Sequence, residues 1–354
     1  MFPAVFKMRI LDAMARTARS IWIMVVAACL PRPLSAQPPS SAESLPPAKL
    51  QECVQVGDDE ARLMCYDNVL GRTPPDSAVP GGGRKGGLLD GRWELSRESK
   101  RGAFRLRPYQ PVYLSPVFWT SDRNLLPHTP NPRTTVTDPQ ELDSLEAKFQ
   151  LSFKFKMAEN LWGDNVDLWG AYTQNSRWQV YNGDNSRPFR ETDYEPEVML
   201  VVRNDYGIAG WRGRMSGIGF NHQSNGLSEP LSRSWNRVML LIGLDRENWA
   251  LVLRPWWRLP EGQGDDNPDV SDYLGRGDIL LAHTRHGHVF SLMGRHSLRG
   301  GGRSHGALQF EWAFPARGSL RGRLQVLHGY GESLIDYNHR ATWISLGFSL
   351  VEWF

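Results

Sequence analysis

"KFQLSFKFKM", residues 148–157, is the stretch on which the fold turns. Phe149, Leu151, Phe153, Phe155 and Met157 alternate there with Lys148, Gln150, Ser152, Lys154 and Lys156. Only an extended strand, whose successive side chains point to opposite faces, sorts these residues into one apolar and one polar side. The same period runs to the end of the chain. "ISLGFSL" (344–350) sets Ile344, Leu346, Phe348 and Leu350 against Ser345, Gly347 and Ser349, and the sequence stops at Phe354. Segments of this kind near 111–120, 166–178, 195–206, 210–224, 234–245, 248–258, 277–286, 288–297, 306–314 and 319–330 make about a dozen strands.

Strands of roughly ten residues with one apolar face suit the wall of a transmembrane β-barrel. In hydrocarbon every backbone group must be paired, so the sheet has to close on itself. A mean hydropathy of −0.44 fits, because half of each strand faces a polar interior. A secreted, soluble β-sandwich shares the period. Against it stand the small and polar second face, the aromatics near strand ends (Trp211, Trp235, Trp249, Trp256, Trp257, Trp353) and the terminal aromatic. Long connections at 121–146, 179–194, 225–233, 259–276 and 331–341 alternate with short turns near 207–209, 246–247, 287 and 315–318. With the C-terminus in the periplasm, the 225–233 loop lies on the outer side. Net charge is +3, from 41 Lys and Arg against 38 Asp and Glu, so there is no basic field for nucleic acid.

The first residues read as an export signal. Lys7, Arg9, Arg16 and Arg19 precede the apolar run "IWIMVVAACL" (21–30) and the small residue Ala36, predicting a signal peptide over 1–36. The run is too short for a membrane-spanning helix of about 20 residues; Cys29 also permits a lipoprotein signal. Residues 37–104 then form a small periplasmic helical extension. Its Cys53 and Cys65 are an even pair in an oxidising compartment and predict a disulfide. A straight helix would hold them about 18 Å apart and a bridge needs about 7 Å, so the chain must turn back near Gly57 and Asp58. "PGGGRKGG" (80–87) reads as a flexible linker, and 105–354 as the barrel.

On that frame "MSGIGFNHQS" (215–224) is one strand with Ile218, Phe220, His222 and Ser224 on its lipid-facing side. In the next strand, "RSWNRVMLLIGL" (233–244), Asn236, Val238, Leu240 and Ile242 share a face, and a hairpin centred near Glu229 sets Asn236 beside His222. His222 can take the Ser224 hydroxyl proton during attack on a carbonyl and return it to the leaving alcohol. Asn236 can hold the imidazole in the productive tautomer. Backbone N–H groups at Asn225 and Gly226 can receive an oxyanion. A polar trio on a lipid face costs several kcal/mol unless mutually hydrogen-bonded, which argues for a use. Alone, the "DDNPD" stretch (265–269) reads as a solvated acidic loop. A non-catalytic barrel for transport or structure is the rival reading.

Taken together, "YNGDNSRPFRETDYEPE" (181–197), "NHQSNG" (221–226), "SRSWNR" (232–237), "DDNPD" (265–269) and "GYGESLIDYNH" (329–339) resemble the bacterial outer membrane phospholipase A family over roughly 105–354. The resemblance implies an all-β, twelve-stranded antiparallel barrel in the outer membrane. It implies a Ser224–His222–Asn236 triad that cleaves sn-1 and sn-2 acyl esters of phospholipids and lysophospholipids. It further implies that Gln174 supports Asn236 from a neighbouring strand and that the Gly226 amide, with calcium-bound water, forms the oxyanion hole. Calcium dependence and activation as a homodimer follow from the same source. The implied calcium ligands are the Ser232 hydroxyl, the Leu227 carbonyl and the Ser186 carbonyl of a second copy, with a second site at Glu229 and Asp266. Leu227 stands where arginine is common and Glu229 where aspartate is usual.

Overall fold

Burial in the barrel runs opposite to that of a soluble protein. Lys148, Gln150, Ser152, Lys154 and Lys156 are buried, whereas Leu151 and Met157 on the alternate face are exposed. The computed structural model describes residues 47–56, 62, 65, 66, 69 and 87–354. Strands β2 (Val112–Thr120), β3 (Leu145–Ala158), β4 (Val166–Trp178), β5 (Phe189–Ile208), β6 (Trp211–Ser224) and β7 (Ser234–Arg246) build half of the wall. The other half is β8 (Trp249–Leu259), β9 (Gly277–Arg285), β10 (His288–His296), β11 (Gly306–Arg317), β12 (Leu320–Tyr330) and β13 (Arg340–Val351). Each pairs antiparallel with its chain neighbour, and β13 pairs with β2, which closes a twelve-stranded barrel. A two-residue strand, β1 (Arg107–Pro108), adds to β3. Tight turns such as Ala209–Gly210 and Glu247–Asn248 end one side and long loops the other, as the alternation of loop lengths predicts. The exception is β5, which starts at Phe189 inside the expected 179–194 loop. Its first inward residues, Glu191 and Asp193, are buried acids, so that end carries no apolar signature.

The lumen is lined by ion pairs whose side chains are buried. Arg177 Nη1 meets Asp193 at 2.9 Å and its Nε meets Glu332 at 2.6 Å, and Lys148 also reaches Glu332. Arg190 joins Glu146 at 2.8 Å and Asp336 at 2.9 Å. Glu332 and Asp336 belong to the loop 331–339, which tucks Leu334, Ile335 and Tyr337 out of solvent. Removing one member of such a buried pair strands the other and costs about 3–5 kcal/mol. Near the tight-turn side the helix Gly87–Trp93 occupies the interior. Its Trp93 packs edge-on against Tyr109 and Trp169, and the Lys154 ammonium lies over the Trp93 and Trp169 rings. The sequence reading counted these residues with the extension and placed no helix there; in the structure they are helical and pack within the barrel body, Val79–Phe354.

The other compact unit is Met1–Ala78. Its described part contains the helix Pro47–Val54 and a Cys53–Cys65 disulfide with Cα atoms 5.5 Å apart. The signal peptide, Cys29, the turn at 57–58 and residues 80–86 of the linker lie outside the described residues.

Candidate active site

Strands β6 and β7 hold the site in register along their whole length. His222 pairs directly with Asn236, Ser224 with Ser234, Phe220 with Val238 and Ile218 with Leu240. The inner face locks the hairpin. Arg237 bonds Asn221 and Glu195 (2.8 Å), and Trp235 Nε1 donates to Gln223 at 2.9 Å. The outer residues therefore stand on a wall whose inward side chains are fixed. Among those outer residues Ile218 and Phe220 are exposed, as is Trp257, the register partner of Val238 on β8. His222, Ser224 and Asn236 continue these rows at the long-loop end, each half-buried.

His222 Nδ1 lies 2.9 Å from Asn236 Oδ1. An amide oxygen only accepts, so the ring carries its proton on Nδ1 and leaves Nε2 free to take one. The Ser224 hydroxyl accepts a 3.1 Å bond from the Gly226 N–H rather than donating to His222. Gly226 has φ +65°, and a Cβ there would also meet the Tyr194 ring at 3.1 Å, so no other residue fits this turn comfortably. Asn225 ties the loop down. Its Oδ1 accepts from the Leu227 N–H (3.2 Å) and the Arg233 N–H (3.0 Å), and its Nδ2 donates to the Leu231 carbonyl at 2.8 Å.

Two sequence readings need correction. Gln174 does not reach Asn236. It pairs with Tyr194 on β5, and Tyr194 pairs with Ser224 on β6, so two strands separate β4 from β7. Its amide instead donates to Ser176 at 3.3 Å and accepts from the Tyr172 hydroxyl at 3.1 Å. The partner of the Asn236 amide is Glu261, whose Oε1 accepts from Nδ2 at 2.8 Å. Nothing in the sequence pattern marks Glu261, because it follows the end of β8 where the alternation has stopped. Burial raises the Glu261 carboxyl above its ordinary range, and the Asn236 bond and Arg258 only partly offset this.

"DDNPD" is also not a solvated loop. Asp265 accepts from Arg258 at 2.6 Å, Asp266 from the Ser232 hydroxyl at 2.6 Å, and the buried Asn267 from the Ser234 N–H at 3.0 Å. The stretch thus clamps the start of β7 to the 260–276 loop. Ser232 and Asp266 are together, and Leu227 lies on the same 225–233 loop. Glu229 instead faces Arg133 at 3.5 Å, and Ser186 is exposed on the loop between β4 and β5. Hydroxyl, carbonyl and carboxylate oxygens are the hard donors that calcium prefers, so the Ser232 neighbourhood fits that ion.

The family model for Phospholipase A1 matches residues 89–350. A Neisseria meningitidis chain, a candidate phospholipase A1, is 39% identical over 337 residues, spanning 90% of this chain and 86% of its own length. Among solved structures, the outer membrane phospholipase A of Escherichia coli superposes with TM-score 0.64 at 33% identity, covering 76% of this chain and 99% of that one. The outer membrane phospholipase of Salmonella typhi, a dimer with bound calcium, gives TM-score 0.63 at 35% identity, covering 72% and 95%.

Proposed function

Because the chain belongs to the phospholipase A1 family, we propose that its hydrolysis of phospholipid is carried out by Ser224, His222 and Asn236 on the lipid-facing wall. The protein is a phospholipase and a β-barrel of the bacterial outer membrane. The observation that carries the site assignment is the 2.9 Å bond from His222 to Asn236 on the face shared with Phe220 and Val238. Substrate needs no pocket there, since acyl chains can lie along Phe220, Val238 and Trp257 while the ester reaches the polar end of the rows.

His222 Nε2 takes the Ser224 proton as Oγ bonds to the ester carbonyl carbon. The carbonyl π electrons move to oxygen, and the Gly226 N–H, already at the nucleophile, donates to that oxyanion. The imidazolium then gives its proton to the departing lysophospholipid or glycerol oxygen as the ester C–O bond breaks. A water, deprotonated by the same nitrogen, releases the fatty acid and restores Ser224. Both sn-1 and sn-2 esters, and lysophospholipids, can meet an open wall of this kind.

A calcium ion would be held by the Ser232 hydroxyl, the Leu227 carbonyl and the Ser186 carbonyl of a second copy; Glu229 and Asp266 are candidates for a second site. When bound it supplies positive charge beside the oxyanion. Needing Ser186 from another copy makes activity depend on dimerisation, which agrees with the calcium-bound dimer of the Salmonella typhi relative. The test is hydrolysis of a short-chain phosphatidylcholine by the purified protein with calcium or with a chelator, alongside crosslinking and the Ser224→Ala variant. Turnover should vanish with the chelator and in Ser224→Ala, and crosslinked dimer should rise with calcium. Unchanged turnover by Ser224→Ala removes the mechanism, and no turnover at any calcium level favours a non-catalytic barrel.

A further inference from the structure

The hydrogen-bond chain from His222 passes through Asn236 and ends on a carboxylate. Leu259 is the register partner of Asn236, and Glu261 follows it by two residues on the same outer side. From there the Glu261 Oε1 accepts the Asn236 Nδ2 bond at 2.8 Å, while Asn236 Oδ1 faces His222 Nδ1 at 2.9 Å. We propose that Glu261 is a positioning residue of the phospholipase site, selecting the orientation of the Asn236 amide and lending negative charge to the His222 imidazolium. This rests on the triad reading above.

The physical reason lies in what an amide can do. Asn236 has a donor end and an acceptor end of nearly the same shape, and only one arrangement suits catalysis. With Oδ1 toward His222, the ring proton sits on Nδ1 and Nε2 is a base. With the amide reversed, Nδ2 would donate to Nδ1 and force the proton onto Nε2, where it blocks uptake from Ser224. Neutral asparagine has no charge with which to enforce the choice. An ionised carboxylate does, because it accepts and cannot donate, so Glu261 admits only the Nδ2 end. The same charge, relayed through one amide, favours the protonated imidazole that forms during attack. The groups facing Glu261 are Arg258, Asp265 and Asp266. Arg258 is already engaged by Asp265 at 2.6 Å and the Pro268 carbonyl at 2.8 Å, and Asp266 by Ser232. Glu261 is therefore left to Asn236.

The test uses the full-length protein in detergent with calcium and short-chain phosphatidylcholine, comparing Glu261→Gln, Asn236→Ala and the double variant. Glutamine keeps the size but offers both an acceptor and a donor, so the amide is no longer sorted. Expected are a loss of about 3- to 10-fold in kcat/KM for Glu261→Gln and no further loss when it is added to Asn236→Ala. In histidine-labelled protein the ring nitrogens of His222, followed by NMR, should report the Nδ1-protonated tautomer in the parent and a mixture of tautomers in Glu261→Gln. A merely structural loop residue would leave the tautomer in place. An unchanged tautomer, or a loss that persists at full size in the Asn236→Ala background, overturns the proposal. Because the NMR readout needs no turnover, it judges Glu261 even where Ser224→Ala keeps its activity and the triad reading itself fails.

Discussion

Replacing Asn236 by alanine removes two hydrogen bonds and no charge, and only one of the two touches the base, so its cost follows from the geometry. The lost bond that bears on proton transfer is the 2.9 Å contact to His222, whose net worth as a neutral pair is about 0.5–1.5 kcal/mol. Freeing the half-buried imidazole to leave its productive rotamer adds about 0.5 kcal/mol. Together these give about 1–2 kcal/mol, or roughly 5- to 30-fold in kcat/KM. His222→Ala instead deletes the proton acceptor, for which about 10²- to 10⁴-fold is ordinary. What then remains is the Gly226 N–H and substrate binding. The assay is initial rates on short-chain phosphatidylcholine at saturating calcium, with folding of each variant confirmed by heat-dependent gel mobility. His222→Ala should fall at least about threefold below Asn236→Ala, since its smallest expected loss exceeds the largest for Asn236. Equal losses would show that orientation and proton transfer have been assigned to the wrong side chains.

Leu151 is exposed on β3 between the lumen-facing Gln150 and Ser152, so Leu151→Arg should lower stability by about 2–4 kcal/mol where it sits near the bilayer midplane; reversible unfolding in lipid vesicles measures this, and no loss would place that face away from lipid. Burial alone would raise the Asp336 carboxyl, but Arg190, His339 and Arg177 together outweigh it and hold the group below its ordinary 3.8. A carboxyl lowered in the folded state contributes stability that is complete above its unfolded value and lost as pH falls through the folded one. Proteolysis of the 331–339 loop should therefore rise below about pH 4, and Asp336→Asn should show higher susceptibility at neutral pH with a smaller further rise on acidification, the remainder coming from Glu332, which its cations also hold low.

How far the sequence carries depends on which face of a strand does the telling. Where lipid meets the wall, as at Phe149 to Met157 or Ile218 to Phe220, the period of two is plain and so are the strand and its outward side. Above the lipid the outward Thr192 of β5 is polar, Arg190 at the strand's irregular start turns into the lumen ion pairs, and the inward residues are acids. Alternation is then between two polar sets and leaves no trace, which is why the start at Phe189 is invisible. The pairing of His222 with Asn236 follows from counting across one hairpin. Placing Gln174 needs the count across three strand pairs, and the resemblance that put it beside Asn236 skips β5 and β6. Asp265, Asp266 and Asn267 look solvated because their partners Arg258, Ser232 and Ser234 come from separate places in the chain. Glu261 is hidden for the same reason.

Those last contacts also explain how a polar group can be kept on an apolar wall. The outer face of a strand in lipid has no second protein layer over its side chains to hold them, so the ordering has to come from above. The 260–276 loop supplies it twice, with Glu261 on Asn236 and Asp266 on Ser232. The first contact fixes the acid–base pair and the second fixes a hydroxyl that we assign to calcium. One loop therefore touches both halves of the proposed chemistry. Beneath it the inner face of the barrel is held by the Arg237, Asn221 and Glu195 bonds, so the site rests on a wall fixed from within and a loop fixed from above.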